Sequence, residues 1–417
     1  PPLYLHGGSH TVGQKSGRSR VLHGRQDPAM MWVAIAAATL GACSPRRDCN
    51  APSAYSSLTL ERNNTLTYIA SANFAASSRS AIEEGMALAT HFLGTSSNTR
   101  VYLYEPNGPD SAYAAVTANL CAFWSRTDLG CGGSEKGSAQ GGGGQYFLSG
   151  VTGCECGGLT YTGAPVFLMP SAGDSDSNLK MRAVHELTHA YQKAASGGVM
   201  PAWLTEGGAV YMECVMAQRA GLGSFSQCFR YGGGGGGILR NVRGLYLSSP
   251  TTTWLTTYGS DRCCGSTCGA AGNVCAAGGD ASACTFGTGS GTSYYERAVF
   301  YDLGALAIAF AVQRANAAHA ATGGRTTKEF FQSRSKGFWL AVEPFEVDLV
   351  NGWPSHVPEG SGWKRALAAF TGDATVADFY AAFEAAIGVA VAGTEADAQR
   401  LLAWLEADDA VHSASGE

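Results

Sequence analysis

The residues best suited to chemistry form the pentapeptide His185-Glu186-Leu187-Thr188-His189. Two histidines at positions i and i+4 of a helix share one face and lie about 6 Å apart, which suits two ligands of one tetrahedral Zn²⁺. Glu186 would then lie beside the metal, where a carboxylate can take a proton from zinc-bound water and pass it to a leaving amine. Because such a short pattern also occurs by chance, its context decides what it indicates.

The context of the pentapeptide supplies a helix and a third ligand. The segment MRAVHELTHAYQKAA is predicted to be helical, and Gly197 and Gly198 are placed to terminate it. Pro201 suits the first turn of the next helix, so an antiparallel return would bring Glu206 to the metal. Two histidines and a glutamate leave a fourth position open for water, as catalytic zinc requires. The alternative is that Glu206 is an ordinary exposed carboxylate at a helix N-terminus.

The two segments HELTHAYQ and AWLTEGGAVYMEC resemble the zinc core of the gluzincin metallopeptidases. WLTEGGAVY is similar to the WLNEGFA stretch of the aminopeptidase N and leukotriene hydrolase family. Downstream, Tyr295-Glu296-Arg297-Ala298 is similar to a Tyr-Glu-Lys-Gly stretch of that family, whose tyrosine donates to the oxyanion of the tetrahedral intermediate. The resemblance therefore implies an oxyanion role for Tyr295, and the alternative is a tyrosine buried in the core.

Motif and resemblance together predict a zinc metallopeptidase that acts on a peptide or protein substrate. We expect one Zn²⁺ per chain, with His185, His189 and Glu206 as the metal ligands. Glu186 and Tyr295 are the expected catalytic residues. Nothing in the chain reproduces the GAMEN strand of the aminopeptidases, so an endopeptidase is predicted. The alternatives are an aminopeptidase, a catalytically silent gluzincin fold used as a surface binding module, and a zinc hydrolase of a non-peptide substrate.

Two further features would serve such a site. Glu213 lies two helical turns after Glu206 on nearly the same face and could orient a histidine ligand, although a solvated or core-satisfied glutamate is the favoured interpretation. The resemblance implies a sheet edge beside the zinc helix, and YTGAPVFLMP, just before that helix, is the natural candidate. Such an edge would bind extended peptide through backbone hydrogen bonds. An internal strand without a free edge is the alternative.

The elements around the motif predict an α+β, gluzincin-like fold. Strand patterns in SLTLERNNTLTYIA, RVYLYE and QYFLS alternate with helical patterns, and the chain becomes mainly helical after residue 174. We divide the chain into four parts. They are an upstream segment with a signal peptide or lipobox (1–43), an N-terminal α/β subdomain (44–170), a zinc-binding helical subdomain (171–320) with a Cys/Gly-rich insertion (258–292), and a C-terminal helical subdomain (321–417).

The composition limits the classes of partner. The chain has 417 residues, of which 45% are hydrophobic, so it can fill a sizeable core. Its 28 basic and 33 acidic residues give a net charge of −5, which provides no basic footprint for nucleic acid. After the N-terminal apolar run, no segment holds enough consecutive apolar residues to predict a membrane span. The oligomeric state does not follow from the sequence.

Thirteen cysteines indicate disulfides and an oxidising compartment. The run WVAIAAATLGA has the length of a signal peptide, and the stretch LGAC that ends at Cys43 resembles a lipobox, so a lipid anchor at Cys43 is the alternative to plain cleavage. A secreted or surface-anchored protein is therefore predicted. The insertion 258–292 holds five cysteines, an odd number, and one of them is expected to pair outside it, with Cys214 or Cys228.

Overall fold

A computed structural model of the chain describes the parts that surround the motif. The described residues are 66–94, 99–123, 131–140, 146–148, 154–155, 158–159, 165–168, 170, 174–196, 201–231, 237–248, 254–255, 297–319, 321, 362–392, 401, 403 and 405–406. The predicted signal peptide with Cys43, the insertion 258–292 and Tyr295 lie outside the described residues.

Six short strands are described. They are β1 (Thr67–Ala70), β2 (Arg100–Leu103), β3 (Tyr146–Leu148), β4 (Cys154–Glu155), β5 (Gly158–Leu159) and β6 (Pro165–Leu168). Four of them form a sheet in the order β1-β2-β6-β3, in which β1, β2 and β6 are parallel and β3 is antiparallel to β6. The strands β4 and β5 form a separate antiparallel pair.

The prediction that YTGAPVFLMP forms the edge strand is wrong. Its core, β6, is internal, because it pairs with β2 on one side and with β3 on the other. The strand β3, from the predicted QYFLS strand, lies at the end of the sheet instead. The sequence could not show which of the two strands lies at the edge, because β3 and β6 are both short apolar runs and only their pairing distinguishes them.

Helices make up most of the described chain. They are α1 (Ala76–Leu93), α2 (Asp110–Phe123), α3 (Gly133–Gln140), α4 (Asp176–Ser196), α5 (Ala202–Arg219), α6 (Phe225–Tyr231), α7 (Ile238–Ser248), a π-helix π1 (Arg297–Leu303) that continues into α8 (Gly304–Ala318), α9 (Gly362–Thr371) and α10 (Val376–Ala392). The described part is thus mostly helical with a small four-stranded sheet and a separate strand pair, which agrees with the α+β class at that level.

Both faces of the sheet are covered because its side chains alternate. Val101 and Leu103 of β2 point into the main core with α1 and α4, whereas Tyr102 joins a second cluster with residues of α2. All three side chains are fully buried. The sheet therefore has helices on both sides, and α4, which carries the pentapeptide, also packs against β3 and β6.

The main core continues into the helices that follow the sheet. Helix α5 packs against α4, π1 and α8, and the C-terminal helices α9 and α10 cover α8. The stretch Ala298–Ala318 is long and apolar enough to cross a membrane, but 78% of its apolar window is buried inside the protein. Burial at the centre of this bundle accounts for that composition.

Two disulfides lie in the described part of the chain. Cys121 pairs with Cys131, which joins the end of α2 to the start of α3. Cys214 on α5 pairs with Cys228 on α6. The expectation that Cys214 or Cys228 bonds to a cysteine of the insertion is therefore wrong, because the two bond to each other.

Candidate metal centre

Helix α4 carries His185, Glu186 and His189, and all three side chains are buried. It begins where the hydroxyl of Ser175 accepts a hydrogen bond from the amide of Asn178 (3.2 Å), a side-chain cap that satisfies one free N–H of the first turn. Its apolar face packs on α1 and the sheet and holds the helix in place. The buried residues of this face are Leu179, Ala183, Val184, Leu187, Ala190 and Tyr191.

Helix α5 runs antiparallel to α4 and supplies the third candidate ligand. Later residues of α5 meet earlier residues of α4, since Glu206 contacts His189 whereas Glu213, two turns on, contacts His185. Pro201 precedes α5 in an extended conformation, with φ −64° and ψ 151°, and so sets the start of the returning helix. The short connection after α4 therefore brings a carboxylate to the histidine pair, as the spacing of the motif predicts.

Three ligand atoms converge at the centre of this contact. Nε2 of His185 lies 3.0 Å from Nε2 of His189, and Oε2 of Glu206 lies 3.4 Å and 3.2 Å from these two atoms. Ligands bound tetrahedrally to zinc, with bonds of about 2.0–2.1 Å, are roughly 3.3 Å apart. The triangle of nitrogen and oxygen atoms thus has the size that a bound Zn²⁺ requires.

Gln192, which the sequence analysis did not single out, fixes the tautomer of His189. Its amide nitrogen donates to the carbonyl oxygen of Thr205 (3.0 Å), so its amide oxygen faces Nδ1 of His189 at 2.9 Å. An oxygen acceptor there places the ring hydrogen on Nδ1 and leaves the lone pair on Nε2. Gln192 lies one turn after His189, so the helical spacing i+3 was the available signal for it.

Glu213 performs the same task for His185. Its Oε1 lies 2.5 Å from Nδ1 of that ring, where the carboxylate accepts the ring hydrogen and aims Nε2 at the other ligands. Glu213 is therefore not a solvated glutamate, and its contact to His185 is the one that the role of orienting this histidine requires. Both imidazoles are held by acceptors at Nδ1, as metal-binding histidines almost always are.

The donor set fits a divalent cation. Two Nε2 lone pairs and one carboxylate oxygen face the same point, and such an arrangement of acceptors is repulsive unless a cation or a proton lies between them. Nitrogen and carboxylate ligands suit zinc, and three protein ligands are the number found at catalytic zinc sites. His185 and His189 are nearly buried, which limits the access of water to the metal ligands.

The electrostatics of the cluster show how a proton competes with the metal. Burial would lower the pKa of His185, but hydrogen bonds to Glu206 and Glu213 outweigh it and hold that pKa well above its usual value. Burial would raise the pKa of Glu206, yet the charges of His189 and His185 hold it far below the usual range. Glu206 is therefore a carboxylate at neutral pH and attracts any cation at this position.

Glu186 is held close to the ligands but apart from them. It is 5% exposed, and its Oε2 makes no hydrogen bond to any described residue. Burial raises the pKa of this carboxyl, although His185 and His189 act in the opposite direction. A buried carboxylate oxygen without a partner is costly in a folded protein, and a water molecule bound at the metal would supply the missing hydrogen bond.

A different tyrosine from the expected one lies in the described site. Tyr301 of π1 stacks on the imidazole of His185, with ring centroids 6.0 Å apart and an angle of 12° between the rings. Tyr295, which the family resemblance nominates, lies outside the described residues. No local signal distinguished Tyr301, since it meets His185 across 116 residues of chain that include the insertion.

Comparisons of the chain with protein family models, with curated proteins and with solved structures find no match.

Proposed function

We propose that this protein is a zinc metallopeptidase with a gluzincin-type centre, in which His185, His189 and Glu206 bind the metal. The observation that carries the proposal is the convergence of three atoms that can bind a metal, Nε2 of His185, Nε2 of His189 and Oε2 of Glu206, within 3.4 Å of one another. The orientation of the two imidazoles is fixed by Glu213 and Gln192, whose side-chain oxygens hydrogen-bond to Nδ1 of His185 and of His189, respectively.

The residues around the centre divide the chemical work. Bound Zn²⁺ would lower the pKa of a water ligand to about 7 and polarise the scissile carbonyl. With the metal bound, Glu186 would serve as the general base through its unpartnered Oε2 and then as the general acid toward the leaving amine. Burial favours the protonated form of this carboxyl, which suits the second of these two steps.

The sheet edge beside α4 favours an extended peptide as substrate. The described four-stranded sheet has two edge strands, β1 and β3, and α4 packs against β3. An antiparallel edge offers backbone donors and acceptors to an added strand whatever its side chains, so it suits protein substrates of varied sequence. The proposed peptide-binding edge is therefore β3, not YTGAPVFLMP. An endopeptidase remains the proposed activity. A signal peptide or lipobox before residue 44 supports a secreted or surface-anchored enzyme.

Mass-spectrometric mapping of a mixed peptide library tests this function. The full-length protein is assayed loaded with zinc, after removal of metal by a chelator, and after zinc is restored; a His189→Ala variant purified in the same way controls for contaminating proteases. We expect internal cuts that disappear and return with zinc and that the variant does not make. Trimming from free N-termini alone would show an aminopeptidase. Absence of cleavage by zinc-loaded protein would refute the peptidase proposal in favour of a non-peptide hydrolase or a binding module.

A further inference from the structure

We infer that Tyr301 is a positioning residue of the metal centre, which holds the imidazole of His185 in the plane that aims Nε2 at the metal. The inference rests on the metal site proposed above and is independent of peptide hydrolysis.

The geometry of the two rings shows how Tyr301 could act. They are nearly parallel, with an angle of 12° and a centroid separation of 6.0 Å. Glu213 holds His185 in the plane of the ring, through Nδ1, and so fixes its direction. The phenol ring lies nearly parallel to the imidazole and offset from it, and so restricts the tilt of the imidazole toward that side. The contacts of His185 to Glu213, His189 and Glu206 are made through its ring nitrogens and leave this tilt less constrained.

Tyr301 is more exposed than the residues beside it in π1. Ala298, Val299, Phe300 and Leu303 are buried in the main core, whereas Tyr301 is only partly buried and packs at its margin. π-Helical turns are rare and occur frequently at functional sites, where the wider turn redirects a side chain. The wider turn of π1 therefore explains why the ring of Tyr301 does not lie on the face of the helix that packs into the core.

Two contacts hold π1 against the site. Asp302, next to Tyr301, is buried and its Oδ2 accepts a hydrogen bond from the side chain of Asn241 on α7 (2.7 Å). At the end of π1, the backbone of Gly304 approaches Trp203 and Gly207 so closely that neither glycine has room for a methyl group. The segment that carries Tyr301 is thus fixed just after this residue, which lets its ring constrain His185.

Zinc affinity of the metal-free, full-length protein, measured by competition with a chromogenic chelator, tests the inference. Tyr301→Leu removes the ring, and Tyr301→Phe keeps it. Phe310→Leu is the matched control, because Phe310 is a partly buried ring on the same continuous helix that packs on Phe379 and Phe383, away from the metal. We expect Tyr301→Leu to raise the Kd for zinc about 3- to 10-fold. Wild type, Tyr301→Phe and Phe310→Leu should agree with one another.

The visible absorption of bound Co²⁺ provides a second readout, since its bands follow the arrangement of the ligands. They should shift in Tyr301→Leu and not in Phe310→Leu. Should Tyr301→Leu fail to fold, Tyr301→Met, which fills more of the same volume without a ring, replaces it. Equal zinc affinity and equal spectra for the leucine variants overturn the inference, and so does a loss in Tyr301→Phe as large as in Tyr301→Leu. If the wild-type protein binds no metal, the proposed function fails as well.

Discussion

Gly207 and Gly304 let α5 and the start of α8 meet backbone to backbone, because a methyl group on Gly207 would lie only 2.3 Å from the carbonyl carbon of Gly304. The contact is next in sequence to Glu206, the third ligand of the proposed metal centre. It also follows π1, so one close approach of two helices sets the positions of both Glu206 and Tyr301. The packing of the bundle and the geometry of the site are therefore linked.

Gly207→Ala is expected to destabilise the protein by about 1–3 kcal/mol, because the added methyl group overpacks a contact between two backbones. The displaced α5 should also weaken zinc binding. Thermal unfolding and zinc titration measure the two effects. Gly137→Ala on α3 is the control, since nothing lies within 4 Å of its added methyl group, and it should leave both quantities unchanged or raise stability slightly. Equal behaviour of the two variants would contradict the close approach.

Glu206→Gln should lose the metal. The amide keeps the shape of the side chain but not the charge that attracts a cation between the two histidines. Metal analysis of the purified variant should find well under one zinc per chain. Glu83→Gln, which alters an exposed carboxylate paired with Arg79 on α1, should retain zinc at the wild-type level. One zinc per chain in Glu206→Gln would show that the metal is bound elsewhere.

Glu213→Ala should weaken zinc binding by about 10- to 100-fold, the usual cost of losing the hydrogen-bond partner of a metal-binding histidine. The change removes the carboxylate that accepts the Nδ1 hydrogen of His185. The stoichiometry should remain one zinc per chain at saturating metal, which distinguishes this variant from Glu206→Gln. An unchanged Kd would mean that Glu213 is only a structural contact.

The metal-free protein should lose stability as the pH rises above about 6.5, the pKa of an unfolded histidine. Hydrogen bonds to Glu206 and Glu213 raise the pKa of His185 in the folded state. Protonation of His185 therefore stabilises the folded protein fully below about pH 6.5, and this stabilisation is lost as the pH rises through the folded-state pKa. Glu186, whose pKa is also raised, acts in the same direction. The pKa of Glu206 is lowered in the folded state, so its ionised carboxylate stabilises the folded protein above about pH 4.3, and this stabilisation is lost in acid.

Zinc should reverse this trend, because the metal displaces the proton from His185. The increase in Tm on adding zinc is therefore expected to grow from pH 6 to pH 8. Scanning calorimetry of metal-free and zinc-loaded protein at several pH values measures both trends. A rise in the Tm of the metal-free protein between pH 6.5 and 8.5 would contradict the assignment of the extra proton to this cluster.

Local spacing predicted that His185, His189 and Glu206 would meet, whereas contacts between distant segments were not predictable. The positions of His185, His189 and Glu206 follow from helical periodicity and one short turn, and Gln192 was within reach of the same rule. Tyr301 depends on how π1 crosses α5, which no local pattern encodes. The order of strands β6 and β3 depends on pairing between distant segments, and so does the disulfide between Cys214 and Cys228. Composition and spacing do not favour one such partner over another.

The most direct test of the central claim compares the wild-type protein with Glu186→Gln, by zinc content and by peptide cleavage in the same preparations. Gln at this position keeps the volume of the side chain and leaves His185, His189 and Glu206 in place, so zinc should remain at one per chain. Turnover should fall by several orders of magnitude, because the group that moves the proton is lost. Substantial cleavage by Glu186→Gln, or loss of its zinc, would contradict the account.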